Sequence, residues 1–208
     1  MKSLIVYAAT GNAGKLREFA GHAESGIEVL PLPGFETIAP CEETGKTFEA
    51  NARLKAEYYS KHADDLVFAD DSGLEVAALR GGPGVYSARF AGPMATDEEN
   101  NARLLAALAG VPELLRGASY VCVIALARQG EILATFKGTA SGVILDEPRG
   151  AGGFGYDPYF LFSPLNQTFA EITAEEKWKH SHRGDAFRKM LAFLRIIEAR
   201  GQQETQGN

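Results

Sequence analysis

The sequence predicts an α/β fold built on a mixed β-sheet with flanking helices. Apolar runs rich in β-branched and aromatic residues alternate with helical stretches over the first half of the chain. Strand-like segments then follow one another directly, and Gly, Pro, Asn and Asp punctuate the boundaries. Alternation favours parallel pairing, and a succession of strands favours antiparallel pairing.

Residues 3–9 (SLIVYAA) form an apolar run that reads as a buried strand. TGNAGK follows, and then Leu16, Phe19, Ala20 and Ala23 recur at i, i+3, i+4, i+7, the spacing of an amphipathic helix. Residues 27–30 predict a second strand, and 31–45 a loop rich in Pro, Gly and acids. A helix is expected over 48–62 with Thr47 as N-cap. Phe48, Ala52, Lys55 and Tyr59 share its inward face, which puts Lys55 on an otherwise apolar stripe. Residues 66–69 read as a short strand that ends abruptly at Asp70-Asp71-Ser72-Gly73.

A glycine-rich loop over 81–92 carries Tyr86, Ser87 and Arg89. Thr96 and Glu99 have capping-box spacing before a helix that stops at Gly110 and Pro112. Residues 119–128 and 131–137 predict strands joined by a Gln129-Gly130 hairpin, with a third strand over 139–145. A second glycine-rich loop spans 150–158, and 159–162 reads as strand. Thr173 and Glu176 suggest another capping box, and Phe187, Met190, Leu191, Leu194 and Ile197 form the apolar stripe of a last helix. Residues 1–200 are read as one domain and 201–208 as a polar, frayed tail.

The 208 residues are 45% hydrophobic and 23% charged, ordinary for a chain with a sizeable core. A net charge of −6 argues against a broad basic face for nucleic acid, though a few lysines in one cleft still suffice for a small anion. The two cysteines make neither a zinc site nor a disulfide framework, and a reducing compartment suits them. The N-terminal apolar run is short, and no run of about 18 apolar residues occurs, so a soluble cytoplasmic protein is expected, without a membrane partner.

Five constellations carry candidate chemistry. Thr10, Gly11, Asn12, Ala13, Gly14 and Lys15 lie between a strand and a helix, where backbone N–H groups, the helix dipole and an ammonium favour phosphate. The spacing is not that of a P-loop, and an ordinary turn with a surface lysine has the same sequence. Asp70 and Asp71 fit either a solvated turn or a Mg²⁺ site, since Mg²⁺ takes carboxylates and substrate phosphates. Glu42 and Glu43 offer a further carboxylate. Lys55 either snorkels or points into a cleft to meet a polyphosphate. In Gly152-Gly153-Phe154-Gly155-Tyr156-Asp157-Pro158, Phe154 is placed to stack on a base and Asp157 to accept from a ring N–H, although a tight turn with a packed Phe is the simpler alternative. Lys177 and Arg183, beside His182, are close enough in sequence to reach one carbonyl, or else are solvated helix-end residues.

Taken together these residues resemble the inosine triphosphate pyrophosphatase family, the non-standard purine NTP pyrophosphatases. Over about residues 3–200 the motifs ATGNAGK, EETGKTFEANARLKA, ADDSGLEV, PGVYSARFAG, GGFGYDP and EEKWKHSHRG occur in order. The resemblance implies an elongated mixed sheet in two lobes around a central cleft, and a homodimer. It implies Mg²⁺-dependent hydrolysis of ITP, dITP and XTP to the monophosphate and pyrophosphate, which cleanses the nucleotide pool. By the same resemblance, Thr10 to Lys15 bind the triphosphate, Asp71 is general base and metal-associated carboxylate, and Ser72 contacts substrate. Phe154, Gly155, Tyr156, Asp157, Lys177, His182 and Arg183 then form the base pocket, and Glu42 or Glu43 is the second metal ligand.

Base preference follows from polarity. Hypoxanthine and xanthine present an acceptor at O6 where adenine presents a donor, so donors from Lys177, His182 or Arg183 suit the first two. A site built to pair such a group rejects its mismatch by about 10⁴-fold. Guanine shares O6, and nothing in the sequence names what rejects its 2-amino group. Competing readings are a pyrophosphatase for another modified nucleotide, and a non-catalytic nucleotide-binding protein. The second is disfavoured because carboxylates beside phosphates repel unless a metal intervenes.

Overall fold

A computed structural model describes residues 3–206, with side-chain surroundings given up to residue 199. Seven strands form a mixed sheet: β1 (Leu4–Ala8), β2 (Ile27–Pro31), β3 (Leu66–Val76), β4 (Gly117–Arg128), β5 (Glu131–Ile144), β6 (Phe160–Phe162) and β7 (Gln167–Thr168). Their spatial order is β2-β1-β3-β4-β5-β6-β7. β1 pairs in parallel with both β2 and β3, while β6 pairs antiparallel with β5 and β7. Five helices flank the sheet: α1 (Ala13–Gly21), α2 (Phe48–Tyr59), α3 (Asp97–Ala107), α4 (Ala174–His180) and α5 (His182–Gln206).

Several local signals act as the sequence predicts. Thr47 caps α2 by accepting from the Ala50 N–H, and Thr96 and Glu99 close a full capping box on α3. Gln129 and Gly130, both at positive φ, turn β4 into β5. At the start of α4 only the Thr173 half of the expected pair is seen, accepting from the Glu176 N–H at 3.2 Å, while the Glu176 carboxylate meets His180 and Lys179.

Other boundaries move. β3 does not stop before the aspartates but runs through Asp70, Asp71, Ser72 and Gly73 to Val76. Polar residues are tolerated there because partners on neighbouring elements satisfy them. The segments read as two strands over 131–137 and 139–145 are one strand, β5, with Gly138 inside it. α1 ends at Gly21, short of Ala23, and Phe19 is its one buried residue. The short β7 carried too few residues to signal itself. Of the expected tail, 201–206 continue α5, and residues 207 and 208 lie outside the described residues.

The chain packs as two compact units: one contains residues up to 71, 123–137 and from 186 onward, the other 72–122 and 138–185. The first unit's core brings Phe19 edge-on to Phe68 at 5.1 Å, with Phe187 of α5 also 5.1 Å from Phe19. The second has its own core of Leu74, Leu104, Leu108, Tyr120, Phe160 and Phe169, among others. Both cysteines are free thiols, Cys122 buried and Cys41 partly so. Among the described residues no helix is long and apolar enough to cross a membrane. Phe19 is fully buried among aromatic neighbours, so Phe19→Ala is expected to cost about 3–5 kcal/mol of stability, read as a lowered urea midpoint at unchanged slope.

Candidate functional site

Two polar constellations stand out, one in each unit. The first is built on parallel strands. β1 and β3 run side by side with Val6 opposite Leu66 and Ala8 opposite Phe68, and the Ala9 N–H donates to the Phe68 carbonyl at 2.8 Å. The C-terminal end of β1 therefore lies against the middle of β3, and Lys15 of the Thr10–Lys15 turn reaches Asp70. The C-terminal end of a parallel strand in an α/β sheet is a place where ligands bind.

Within the turn, Asn12 caps α1. Its side-chain oxygen accepts from the Gly14 and Lys15 N–H groups at 2.8 and 3.0 Å, and its own N–H donates to Thr10 Oγ1 at 3.2 Å. Two amides expected to be open to phosphate are thus held by Asn12. Gly11, Asn12 and Ala13 are exposed. The Lys15 ammonium meets Asp70 at 2.7 Å.

Successive side chains of a strand point to opposite faces. Asp70 and Asp71 therefore do not form one carboxylate claw, and each has its own lysine. Lys55, on the inward face of α2, meets Asp71 at 2.9 Å and Glu43 at 3.2 Å. Asn51, one turn earlier, donates to Asp71 at 3.3 Å and accepts from the Gly45 N–H at 2.8 Å. Burial pushes the Asp71 carboxyl above its ordinary range, and Glu43 adds to this, while Lys55 and Asn51 oppose it. Lys55 itself is desolvated, yet Asp71, Asp70 and Glu43 together raise its pKa. Burial therefore dominates at Asp71, and the surrounding carboxylates dominate at Lys55.

The second constellation is the loop between β5 and β6. Asp157, 2% exposed, is engaged by three donors: the Phe154 N–H at 2.8 Å, the Lys177 ammonium, and the Tyr120 hydroxyl at 3.3 Å. Gly153 has φ +73°, and a Cβ there would lie 2.1 Å from Asp157 Oδ2, so the loop closes on its aspartate only with glycine. The Phe154 ring is half exposed, with Lys177 Nζ 4.5 Å and Arg183 Cζ 5.6 Å from its centre. The Tyr156 hydroxyl donates to the Ser87 carbonyl at 2.7 Å. His182 stacks on Tyr120 at 4.8 Å and 8°.

These geometries occur in a chain that matches the model of the Ham1 family over residues 6–193. The chain belongs to the Ham1 family. It is 50% identical over 204 residues to a dITP/XTP pyrophosphatase of Acidobacterium capsulatum, covering 92% of this chain and 98% of that one. It is 48% identical to a dITP/XTP pyrophosphatase of Yersinia pseudotuberculosis, covering 91% and 98%. The Staphylococcus aureus Ham1 protein superposes with a TM-score of 0.84 at 41% identity, over 93% of this chain and 99% of that one. A Coxiella burnetii HAM1 protein gives 0.82 at 39%, with the same coverages.

In this Ham1-family chain the expected residues divide by what they touch. Lys55 and Asp71 come together with Glu43, and Lys15 pairs with Asp70. Glu42 does not join them: it is exposed and takes part through its carbonyl, which accepts from the Thr44 N–H at 3.2 Å. Ser72 follows Asp71 in β3 and is half-buried. Phe154, Lys177 and Arg183 converge. Asp157 and Tyr156, expected at the base, are instead buried against the protein's own groups and brace the loop, because the protein's own donors and acceptors hold their polar atoms. His182 is buried as a ring partner of Tyr120.

Asp71 and Glu43 supply hard oxygen donors that suit Mg²⁺, and the Lys55 ammonium lying between them marks a place of excess negative charge. Among the described residues no cluster of three or more His, Cys, Asp or Glu side chains forms a metal cage. A magnesium ion at these carboxylates would take the rest of its shell from substrate phosphates and water.

Sequence reasoning missed Asn51, Asp70 as the partner of Lys15, and Tyr120. Asn51 was detectable: it lies three residues after Phe48 and four before Lys55, a polar side chain on the inward stripe, and it is fully buried. Removing the Lys55 charge with Lys55→Met should raise the Asp71 pKa further, and Glu43→Gln should lower it. NMR titration of the Asp71 carboxyl in metal-free protein reads these opposite shifts, and shifts of the same sign would contradict the charge set.

Proposed function

We propose that this chain hydrolyses non-standard purine nucleoside triphosphates such as ITP, dITP and XTP to the monophosphate and pyrophosphate, removing them from the pool available for DNA and RNA synthesis. The observation that carries the reading is the set Lys15–Asp70 and Lys55–Asp71–Glu43 where β1 ends against β3, in a chain about half identical to relatives named dITP/XTP pyrophosphatase. Lys15, Lys55, Asp71 and Glu43 are assigned to the triphosphate, and Phe154, Lys177 and Arg183 to the base.

Asp71 is the general base. Its carboxylate orients a water and takes its proton as the water oxygen attacks the α-phosphorus. The bond from the α-phosphorus to the bridging oxygen breaks, and pyrophosphate leaves with the electron pair. Burial raises the Asp71 pKa, which makes it a stronger base than an ordinary aspartate. Lys15 and Lys55, held by carboxylates before substrate arrives, exchange those partners for phosphate oxygens and neutralise charge on the departing pyrophosphate. Mg²⁺ held by Asp71 and Glu43 would supply Lewis-acid polarisation of the phosphate oxygens. At the base, the Lys177 ammonium and the Arg183 guanidinium offer donors to a 6-keto group and disfavour a 6-amino group. The same proposal includes a homodimer and a cytoplasmic location.

Incubation with ITP, XTP, GTP, ATP and CTP, with and without Mg²⁺, is expected to release pyrophosphate from ITP and XTP only when Mg²⁺ is present. Orthophosphate as the sole direct product would place attack at the γ position and end the proposal. A preference for CTP would point to a pyrimidine enzyme. Asp71→Asn should lower kcat by about 10³-fold or more with a smaller change in KM.

A further inference from the structure

The aromatic loop of the second unit is held from one side by Asp157 and from the other by helix α3. Asp97 and Asn101 lie four residues apart on α3 and therefore share a face. Asp97 Oδ2 accepts from the Gly155 N–H at 2.6 Å, and Asn101 Nδ2 donates to the Gly155 carbonyl at 2.9 Å. One turn of helix thus holds both polar groups of a single residue. Gly155 has φ +62° and no side chain to anchor itself. With the Phe154 N–H held by Asp157 at 2.8 Å, the backbone on both sides of the Phe154 ring is fixed at three points. The ring itself stays 50% exposed.

The anchoring helix is rigid where it matters. Its capping box starts it at Asp97, and Asn101 is buried at 7% exposure. Three backbone hydrogen bonds around one exposed aromatic exceed what closing the loop requires, since Gly153 and Asp157 already close it. An aromatic platform pinned before ligand arrives loses little freedom when a base stacks on it, and preorganisation of this kind raises affinity.

We propose that Asp97 and Asn101 are positioning residues for base recognition: by clamping Gly155 they hold the plane of Phe154, and so set base affinity, without touching substrate. This rests on the reading of Phe154 as the surface that meets the base.

The test is steady-state ITP hydrolysis by Asp97→Ala, Asn101→Ala and Asp97→Asn, with Glu98→Ala as control, together with inhibition by the two products separately. Glu98 is another acid in the first turn of α3, and its carboxylate interacts with Thr96. Asp97→Ala and Asn101→Ala should each raise KM about threefold to tenfold with kcat within about twofold. The inhibition constant of IMP should rise in parallel, and that of pyrophosphate, which carries no base, should not move. Asp97→Asn keeps an acceptor oxygen and should restore most of the loss, and Glu98→Ala should match the wild type. An unchanged KM, or IMP and pyrophosphate constants rising together, overturns the proposal. Should buried Asn101→Ala fail to fold, the exposed Asp97 carries the test alone. A wild-type enzyme that releases no pyrophosphate from ITP would instead refute the activity on which the inference rests.

Discussion

The parallel pairing of β1 with β3 is the constraint on which the catalytic chemistry depends. It brings the C-terminal end of β1 against the middle of β3, so a helix-start lysine and a strand aspartate from distant parts of the chain become neighbours. A charged pair taken out of water is costly unless its geometry is good and further hydrogen bonds complete it. Here the strand alternation relieves the problem that the sequence poses. Asp70 and Asp71, adjacent in the chain, face opposite ways and meet different lysines, so their mutual repulsion is reduced and each charge has a counter-ion.

The resulting set holds more acid than base, which leaves it ready for exchange. Three carboxylates, from Asp70, Asp71 and Glu43, face two ammonium groups, from Lys15 and Lys55. The surplus is one negative charge, which favours a divalent cation and makes the lysines transferable to a more highly charged polyphosphate. Asn51 fixes Asp71 with a neutral donor, so its orientation does not depend on Lys55 alone. The second unit uses another device. Its aspartate, Asp157, is buried and committed to the loop, and what it leaves outward is an aromatic ring flanked by cations.

Much of this was legible in the residues. The caps at Thr47 and Thr96, the Gln129-Gly130 turn and the inward placement of Lys55 all follow from local rules, because capping, turn geometry and helical spacing act within a few residues. The roles of Asp157 and Tyr156 were not legible. A loop aspartate reads as available for a ligand, and only packing shows that Tyr120, Lys177 and a backbone N–H occupy it. The extent of β3 failed for a related reason: paired aspartates are poor strand residues by propensity, and only partners far away in sequence make them acceptable there.

The sequence by itself determined the family, the alternating architecture, the residue types of the phosphate and base constellations, and the acid–lysine chemistry available to them. Tertiary structure alone decided which lysine meets which aspartate, that Glu43 rather than Glu42 joins Asp71, and that Asn51 completes the set. The reason is physical. Local spacing fixes which face a side chain takes on its own element, whereas the partner across a strand pair or a helix–sheet contact depends on register and burial set by the whole fold.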